Sequence, residues 1–114
     1  MSRVKSTFKR RQAVALRYAD TDRAPRVVAT GAGELAKRIL ELAKEHGVPV
    51  RQDDTLVEIL AKIEVGHEIP PETYRAVAEI LAFLFRTDIA WRRKKEAQSL
   101  FFRTKSKDTE SPKR

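Results

Sequence analysis

Hydrophobic and polar positions along the chain follow two periods, and these predict strands interleaved with helices. Short apolar runs predict strands at 13–18 and 26–30, and a short edge strand at 48–50. Apolar residues recurring at helical spacing predict three helices. The first covers about 34–46, the second begins after a capping residue at 53–55, and the third runs from 71 to about 85. This order predicts an α/β fold, in which three to four helices flank a small mixed β-sheet of three to four strands.

The same pattern predicts which strands are neighbours and which helix faces are buried. The short turn at 19–25 predicts that the first two strands pair antiparallel, and a crossover through the first helix predicts a parallel third strand beside the second. On the first helix, Leu35, Ile39 and Leu42 are expected to mark the buried face, and Ala36, Leu40 and Ala43 are expected to widen it. The third helix is expected to continue through Trp91 into a basic tail.

Charge divides the chain into three parts. Residues 1–12 carry five basic residues and no acid, and they are predicted to be a flexible lead. Residues 13–88 are predicted to fold as one domain, while 89–114 are predicted to form a basic helical extension and a disordered tail. The termini carry the positive charge, since residues 13–91 hold ten basic and thirteen acidic residues.

Composition removes several classes of function. The sequence has no cysteine, which excludes disulfides, thiolate metal sites and cysteine nucleophiles. Its longest uninterrupted apolar run, at 80–85, is far shorter than the roughly 20 residues that cross a bilayer. No apolar signal-peptide core follows the basic N-terminus, so the chain is expected to be soluble and not exported.

Candidate chemical groups are few. Gly31 and Gly33 between a strand and a helix match half of a dinucleotide fingerprint, although glycines needed for a tight turn explain them as well. His46 and His67, the two histidines, lack neighbours at metal-ligand spacing. No catalytic residue, metal or cofactor is therefore predicted.

A cluster of basic residues follows the one tryptophan and leaves three alternatives open. The cluster is Trp91, Arg92, Arg93, Lys94 and Lys95. It is consistent with a solvated helix end, with contact to an anionic membrane surface, or with contact to nucleic-acid phosphates. The aromatic residues around it, including Phe101 and Phe102, are expected to be exposed and so keep the second and third alternatives open.

Five motifs in register resemble the C-terminal cytosolic domain of the FlhB/YscU family of type III secretion export-apparatus switch proteins. They are A-V-A-L-x-Y at 13–18, A-P-x-V-V-A-x-G-A at 24–32, E-H-G-V-P at 45–49, V-G-x-E-I-P at 65–70, and the A-V-A-E-I-L-A helix at 76–82. The resemblance implies a domain that recruits secretion substrates and switches the class exported.

Three departures qualify the resemblance. Family members cleave themselves at an Asn-Pro-Thr-His motif, whereas Phe8-Lys9-Arg10-Arg11 occupies the corresponding positions, so no self-cleavage is predicted. The membrane-spanning half of full-length members has no counterpart here. Residues 52–56 are Gln-Asp-Asp-Thr-Leu in place of the usual E-N-P-P-L, which resembles the short stand-alone FlhB-like proteins.

The resemblance implies a non-catalytic export component that binds export substrates and other apparatus proteins. A small apolar patch for export signals falls by position on Ala24, Pro25, Ala78 and Leu81. The expected location is cytoplasmic, with peripheral contact at the inner membrane as one option. The alternative function is a small basic nucleic-acid-binding protein that uses its charged termini.

Overall fold

A four-stranded mixed sheet with helices on both faces organises the chain. The computed structural model describes residues 11–19, 22–93 and 98–104. Within them the elements are β1 (Gln12–Tyr18), β2 (Arg26–Ala32), α1 (Glu34–Glu45), β3 (Val50–Gln52), α2 (Asp54–Leu60), α3 (Pro71–Thr87), α4 (Ile89–Arg92) and β4 (Gln98–Arg103). This confirms the predicted α/β fold class.

The strand order is β2-β1-β4-β3. β1 pairs antiparallel with β2, as predicted, and also antiparallel with β4. The prediction that the third strand lies beside β2 is wrong, because β3 pairs parallel with β4 and two strands separate it from β2. The pattern could not show this, since β4 comes from a segment that was expected to continue as helix and tail.

Local signals fix the helix ends. At the end of α1, Gly47 adopts a φ of 66°, its N–H donates to Lys44 O, and Val48 N–H donates to Ala43 O. These two bonds form a Schellman motif. Asp53 caps α2 by accepting from Leu56 N–H, which selects it among the three predicted capping residues. Pro71 opens α3, where a missing N–H costs no helical bond.

The two faces of the sheet differ in the size of their residues. One face presents Val14, Leu16 and Phe102 to the main core, which α2, α3 and α4 complete. The other face presents Ala13 and Ala15, which are almost fully buried, and faces α1. Small residues on this second face let the helix lie close to the strands.

Burial on α1 is centred on the alanines that were expected to widen the buried face, and not on the larger residues that were expected to mark it. Ala36 and Ala43 are fully buried, whereas Leu35 is 63% exposed and Leu42 37% exposed. The close approach explains the shift, because a Cβ on Gly31 would lie 2.7 Å from the Leu35 Cβ. The helix rests on its alanines, and the leucines are displaced to one flank.

The helical extension predicted beyond residue 88 is wrong for residues 98–103. α3 ends at Thr87, and Asp88 caps a single further turn by accepting from Trp91 N–H. Residues 98–103 then form β4, an inner strand with alternating buried and half-buried side chains. The folded domain therefore extends past the predicted boundary. The disorder predicted from Thr104 onward is wrong for Thr104 itself, which is buried and whose N–H donates to Gln12 O at 3.1 Å. The rest of the predicted disordered tail lies outside the described residues.

Candidate functional site

The residues predicted to bind export signals lie in the turn before β2 and on α3, which both contribute to the main core. Ala24 and Pro25 precede β2 and are buried, and Leu81 of α3 is 6% exposed. Ala24 and Leu81 belong to the same buried cluster. Ala78, one turn before Leu81, is half-buried, so it is the member of the set with the most accessible side chain.

A loop clamps the backbone around Ala24 and Pro25. Ile69 N–H donates to Pro25 O at 2.9 Å, Gly66 N–H donates to Val27 O at 2.6 Å, and Val27 N–H donates to His67 O at 3.0 Å. Arg26 adds ion pairs to Asp22 at 3.7 Å and Glu68 at 3.3 Å. The V-G-x-E-I-P motif is therefore a brace along the first half of the β2 edge, and it fixes the backbone at Pro25, one member of the predicted patch.

The predicted lipid or polyanion contact is wrong for Trp91. Its ring is 1% exposed, and Nε1–H donates to Ser99 O at 2.9 Å, which joins α4 to β4. Phe85 packs edge-to-face on it at 5.1 Å between ring centroids. The tryptophan was expected to be exposed because the return of the chain as β4 was not foreseen.

The basic residues of the cluster divide differently. Arg92 and Arg93 are exposed, and the Arg92 guanidinium donates to Phe85 O at the end of α3. A cation at this carbonyl end complements the helix dipole, as the solvated-end alternative predicts. Lys94 and Lys95 lie outside the described residues. Leu100 and Phe102, which follow the cluster, are buried in the core, and Phe101 is half-buried.

The groups weighed for chemistry have structural explanations. Gly31 lies under α1 where a side chain would collide with Leu35, and Gly33 adopts a φ of 62° at the turn into the helix. His46 Nδ1 lies 2.9 Å from Leu42 O, and His67 Nε2 lies 3.1 Å from Glu64 Oε1. Across the described part of the chain, no three His, Cys, Asp or Glu residues group as metal ligands.

The phenol of Tyr74 departs from its ordinary titration behaviour. The pKa of Tyr74 on α3 is raised, first by burial and then by its hydrogen bond and electrostatic interaction with Tyr18 at the end of β1. Both effects favour the neutral phenol over the phenolate. The pair joins α3 to β1 beside Ala78 and gives this border of the patch a polar contact.

Sequence analysis missed a surface on α1. Leu35, Ile39 and Leu42 form a partly exposed apolar flank that we call the α1 flank. The available signal was the seven-residue spacing of Ala36 and Ala43, which marks a second helix face suited to close packing. Leucines outrank alanines in a hydrophobicity pattern, so the pattern put the larger residues at the centre of the buried face and the alanines at its border.

The model of the FlhB HrpN YscU SpaS family matches residues 10–84. That range includes β1 through most of α3, and with them the brace and all four residues of the predicted patch. In the residues that the structure describes, no helix has the length and apolarity needed to cross a membrane.

Individual relatives fall into two groups. The uncharacterized protein YlqH of Bacillus subtilis is 45% identical over 86 residues, which cover 75% of this chain and 92% of YlqH. The flagellar biosynthetic protein FlhB of Aquifex aeolicus is 45% identical over 74 residues, and that of Salmonella typhimurium is 44% identical over 75 residues. The chain spans only 21% and 20% of those two FlhB proteins.

Proposed function

Because this chain belongs to the FlhB HrpN YscU SpaS family, we propose that it is a non-catalytic component of a flagellar or type III protein export apparatus. In this role it binds export substrates or other proteins of the apparatus. The observation that carries the proposal is the family match over 10–84, which covers most of the folded domain. The identity of 36% to 45% to FlhB proteins from several bacteria supports it.

The proposed binding surface is the patch of Ala24, Pro25, Ala78 and Leu81. The positions of two of its residues are fixed in the free protein, since the brace hydrogen-bonds to the backbone of Pro25 and Leu81 packs in the main core. A preformed apolar site loses little conformational freedom on binding a short segment. Ala78 is its accessible part, and its small side chain leaves room above the helix.

The absence of self-cleavage is part of the proposal. The cleavage chemistry of the family uses an asparagine side chain as the internal nucleophile, and the whole sequence contains no asparagine. The proposed location is cytoplasmic, with peripheral contact at the cytoplasmic face of the inner membrane as one option. The nucleic-acid alternative gains no support, because the family match concerns the folded domain rather than the basic termini.

Affinity purification of the tagged full-length chain from its native cells tests the proposal. We expect proteins of a flagellar or injectisome export system to co-purify, as identified by mass spectrometry. Ala78→Asp should reduce their recovery, because a carboxylate at this position must be desolvated against an apolar partner.

The matched control is Ala76→Asp, an exposed alanine on another face of α3. It adds the same charge to the same helix without entering the patch, so recovery should stay unchanged. Equal recovery with both variants would refute the patch assignment. Recovery of no export protein by the unaltered chain would refute the proposed function itself.

A further inference from the structure

Among the residues that the structure describes, only the first half of the β2 edge is braced. The brace takes the backbone groups of Pro25 and Val27, and it ends there. β2 continues to Ala32 as an outer strand of the sheet. Beyond Val27, no described residue other than those of β1 pairs with the β2 backbone.

Hydrogen-bond geometry shows which groups of this second half point outward. Successive residues of a strand direct their N–H and C=O groups to opposite sides. Gly33 N–H donates to Arg11 O at 2.8 Å, and Gly31 and Ala29 lie opposite Ala13 and Ala15 of β1. These alternate residues face β1, so the backbone groups of Thr30 and Ala32 face away from the sheet.

The α1 flank lies next to this open edge. A side chain on Gly31 would meet the Leu35 Cβ at 2.7 Å and the Ile39 Cδ1 at 3.2 Å, which places both residues over β2. Leu35 is 63% exposed and Leu42 is 37% exposed. Outward backbone groups and an apolar wall therefore occur side by side.

We propose that the open edge at Thr30–Ala32 and the α1 flank together form a docking site for an extended, basic polypeptide segment with apolar residues at alternate positions. Extended backbone is the chemical partner of an unpaired strand edge. Alternate side chains of an added strand point to the same face, where the α1 flank would contact them. The site is distinct from the patch of Ala24, Pro25, Ala78 and Leu81.

Charge selects this occupant over a second copy of the chain. The solvent side of α1 carries Glu34, Glu41 and Glu45 against Arg38, while Lys37 and Lys44 lie on the far flank. Arg38 lies nearest Leu35 and Leu42 and pairs with Glu41 at 3.5 Å, which leaves Glu34 and Glu45 in excess on this side. Two copies joined through β2 would bring these like-charged surfaces together, because a two-fold interface repeats the same patch. A basic segment gains attraction from the same carboxylates.

The inference rests on the proposed function in one respect, because an exported polypeptide would supply the basic segment in the cell. The test of the docking site does not depend on that function. The probe is a labelled peptide in which lysine alternates with valine, titrated into the full-length chain by fluorescence anisotropy. NMR amide exchange then locates the contact. We expect saturable binding and slowed exchange of the Thr30 and Ala32 amides.

Two variants address the two parts of the site. Leu35→Lys places a charge on the α1 flank, and Thr30→Pro removes one outward N–H at an edge position where proline is tolerated. Each should weaken peptide affinity about tenfold. The control Ile59→Lys makes a similar change at a 44% exposed aliphatic residue of α2 and should leave affinity unchanged.

The same peptide methylated on alternate backbone nitrogens separates strand pairing from simple charge attraction. It keeps every side chain and charge, so loss of its binding supports the proposal, whereas equal binding overturns it. Protection of amides elsewhere, or a dimer that Leu35→Lys dissociates, also overturns it. Peptide binding at this edge without co-purification of export proteins would reject the proposed function and leave the docking site in place.

Discussion

Individual residues of this protein derive their roles from distant parts of the chain. Trp91 immediately precedes a run of basic residues in sequence, yet its ring is buried and its indole N–H reaches the backbone of β4. A basic neighbourhood in the sequence therefore did not indicate a surface position. Gly31 similarly resembles part of a nucleotide-binding motif. Its structural role is different, because the absence of a side chain lets Leu35 of α1 pack directly against the strand.

At this scale we predict a pH effect from Tyr74. Its folded pKa is raised above the ordinary value near 10, so the unfolded chain loses this proton first as the pH rises. Its contribution to stability is therefore complete below pH 10 and is lost as the pH rises through the folded pKa. Urea unfolding at a series of alkaline pH values measures the effect.

Tyr74→Phe removes this titration and should flatten the alkaline decline in the free energy of unfolding. Comparing the two chains at each pH cancels the other groups that titrate there. Ultraviolet titration of the phenolates gives an independent check, because Tyr18→Phe should lower the Tyr74 pKa by removing its partner. Parallel alkaline declines in the two chains would contradict the assignment.

Among the elements, β4 decides the architecture. It lies between β1 and β3, so the sheet is continuous only when residues 98–103 take part. Its side chains alternate, with Leu100 and Phe102 in the core and Phe101 on the opposite face. A strand that pairs with a partner more than eighty positions earlier leaves no local signal of that pairing.

Adjacent phenylalanines on β4 provide a matched test. Phe102→Ala empties a fully buried position and should lower the free energy of unfolding by about 3–5 kcal/mol. Phe101→Ala makes the same chemical change at a half-buried position and should have a clearly smaller effect. Denaturant unfolding compares them, and equal effects would be incompatible with an inner strand at 98–103.

The elements that the sequence predicted well are those with local signals. β1 and β2 follow from short apolar runs around a turn, and α1 and α3 follow from helical spacing closed by Gly47 and opened by Pro71. Burial within α1 did not follow, because it depends on the small residues of the sheet beneath. The position of β3 did not follow either, because it depends on β4.

The candidate site shows the same division. Ala24, Pro25, Ala78 and Leu81 were placed by family resemblance, and the structure shows that Ala24 and Leu81 share one core. Their function in partner binding stays a prediction. The open half of the β2 edge was not foreseen, since it depends on where the brace from 66–69 ends in space.

For the whole molecule, charge and family point in different directions. A net charge of +8 suggests a polyanion partner, but the charge is concentrated at the termini and the middle of the chain is slightly acidic. The family match concerns that middle, and the chain spans about a fifth of the FlhB proteins it matches. Function is therefore assigned to the folded surfaces rather than to the termini.

The missing asparagine gives a prediction for the intact chain. Purified protein should retain its full mass after long incubation at neutral pH, because no side-chain amide is available at the position where the family cleaves. Intact-mass spectrometry is the measurement. The control variant replaces Phe8-Lys9-Arg10-Arg11 by Asn-Pro-Thr-His, and it should be cleaved. Two fragments from the unaltered chain, separated near Phe8, would contradict the prediction.

Secretion from cells that lack the gene tests the central claim most directly. The quantity measured is the amount of each flagellar or injectisome substrate in the culture medium, normalised to its amount inside the cell. We predict an altered level or class of exported substrates, restored by the unaltered chain and by Ala76→Asp but not by Ala78→Asp. An export profile identical with and without the gene would contradict the account.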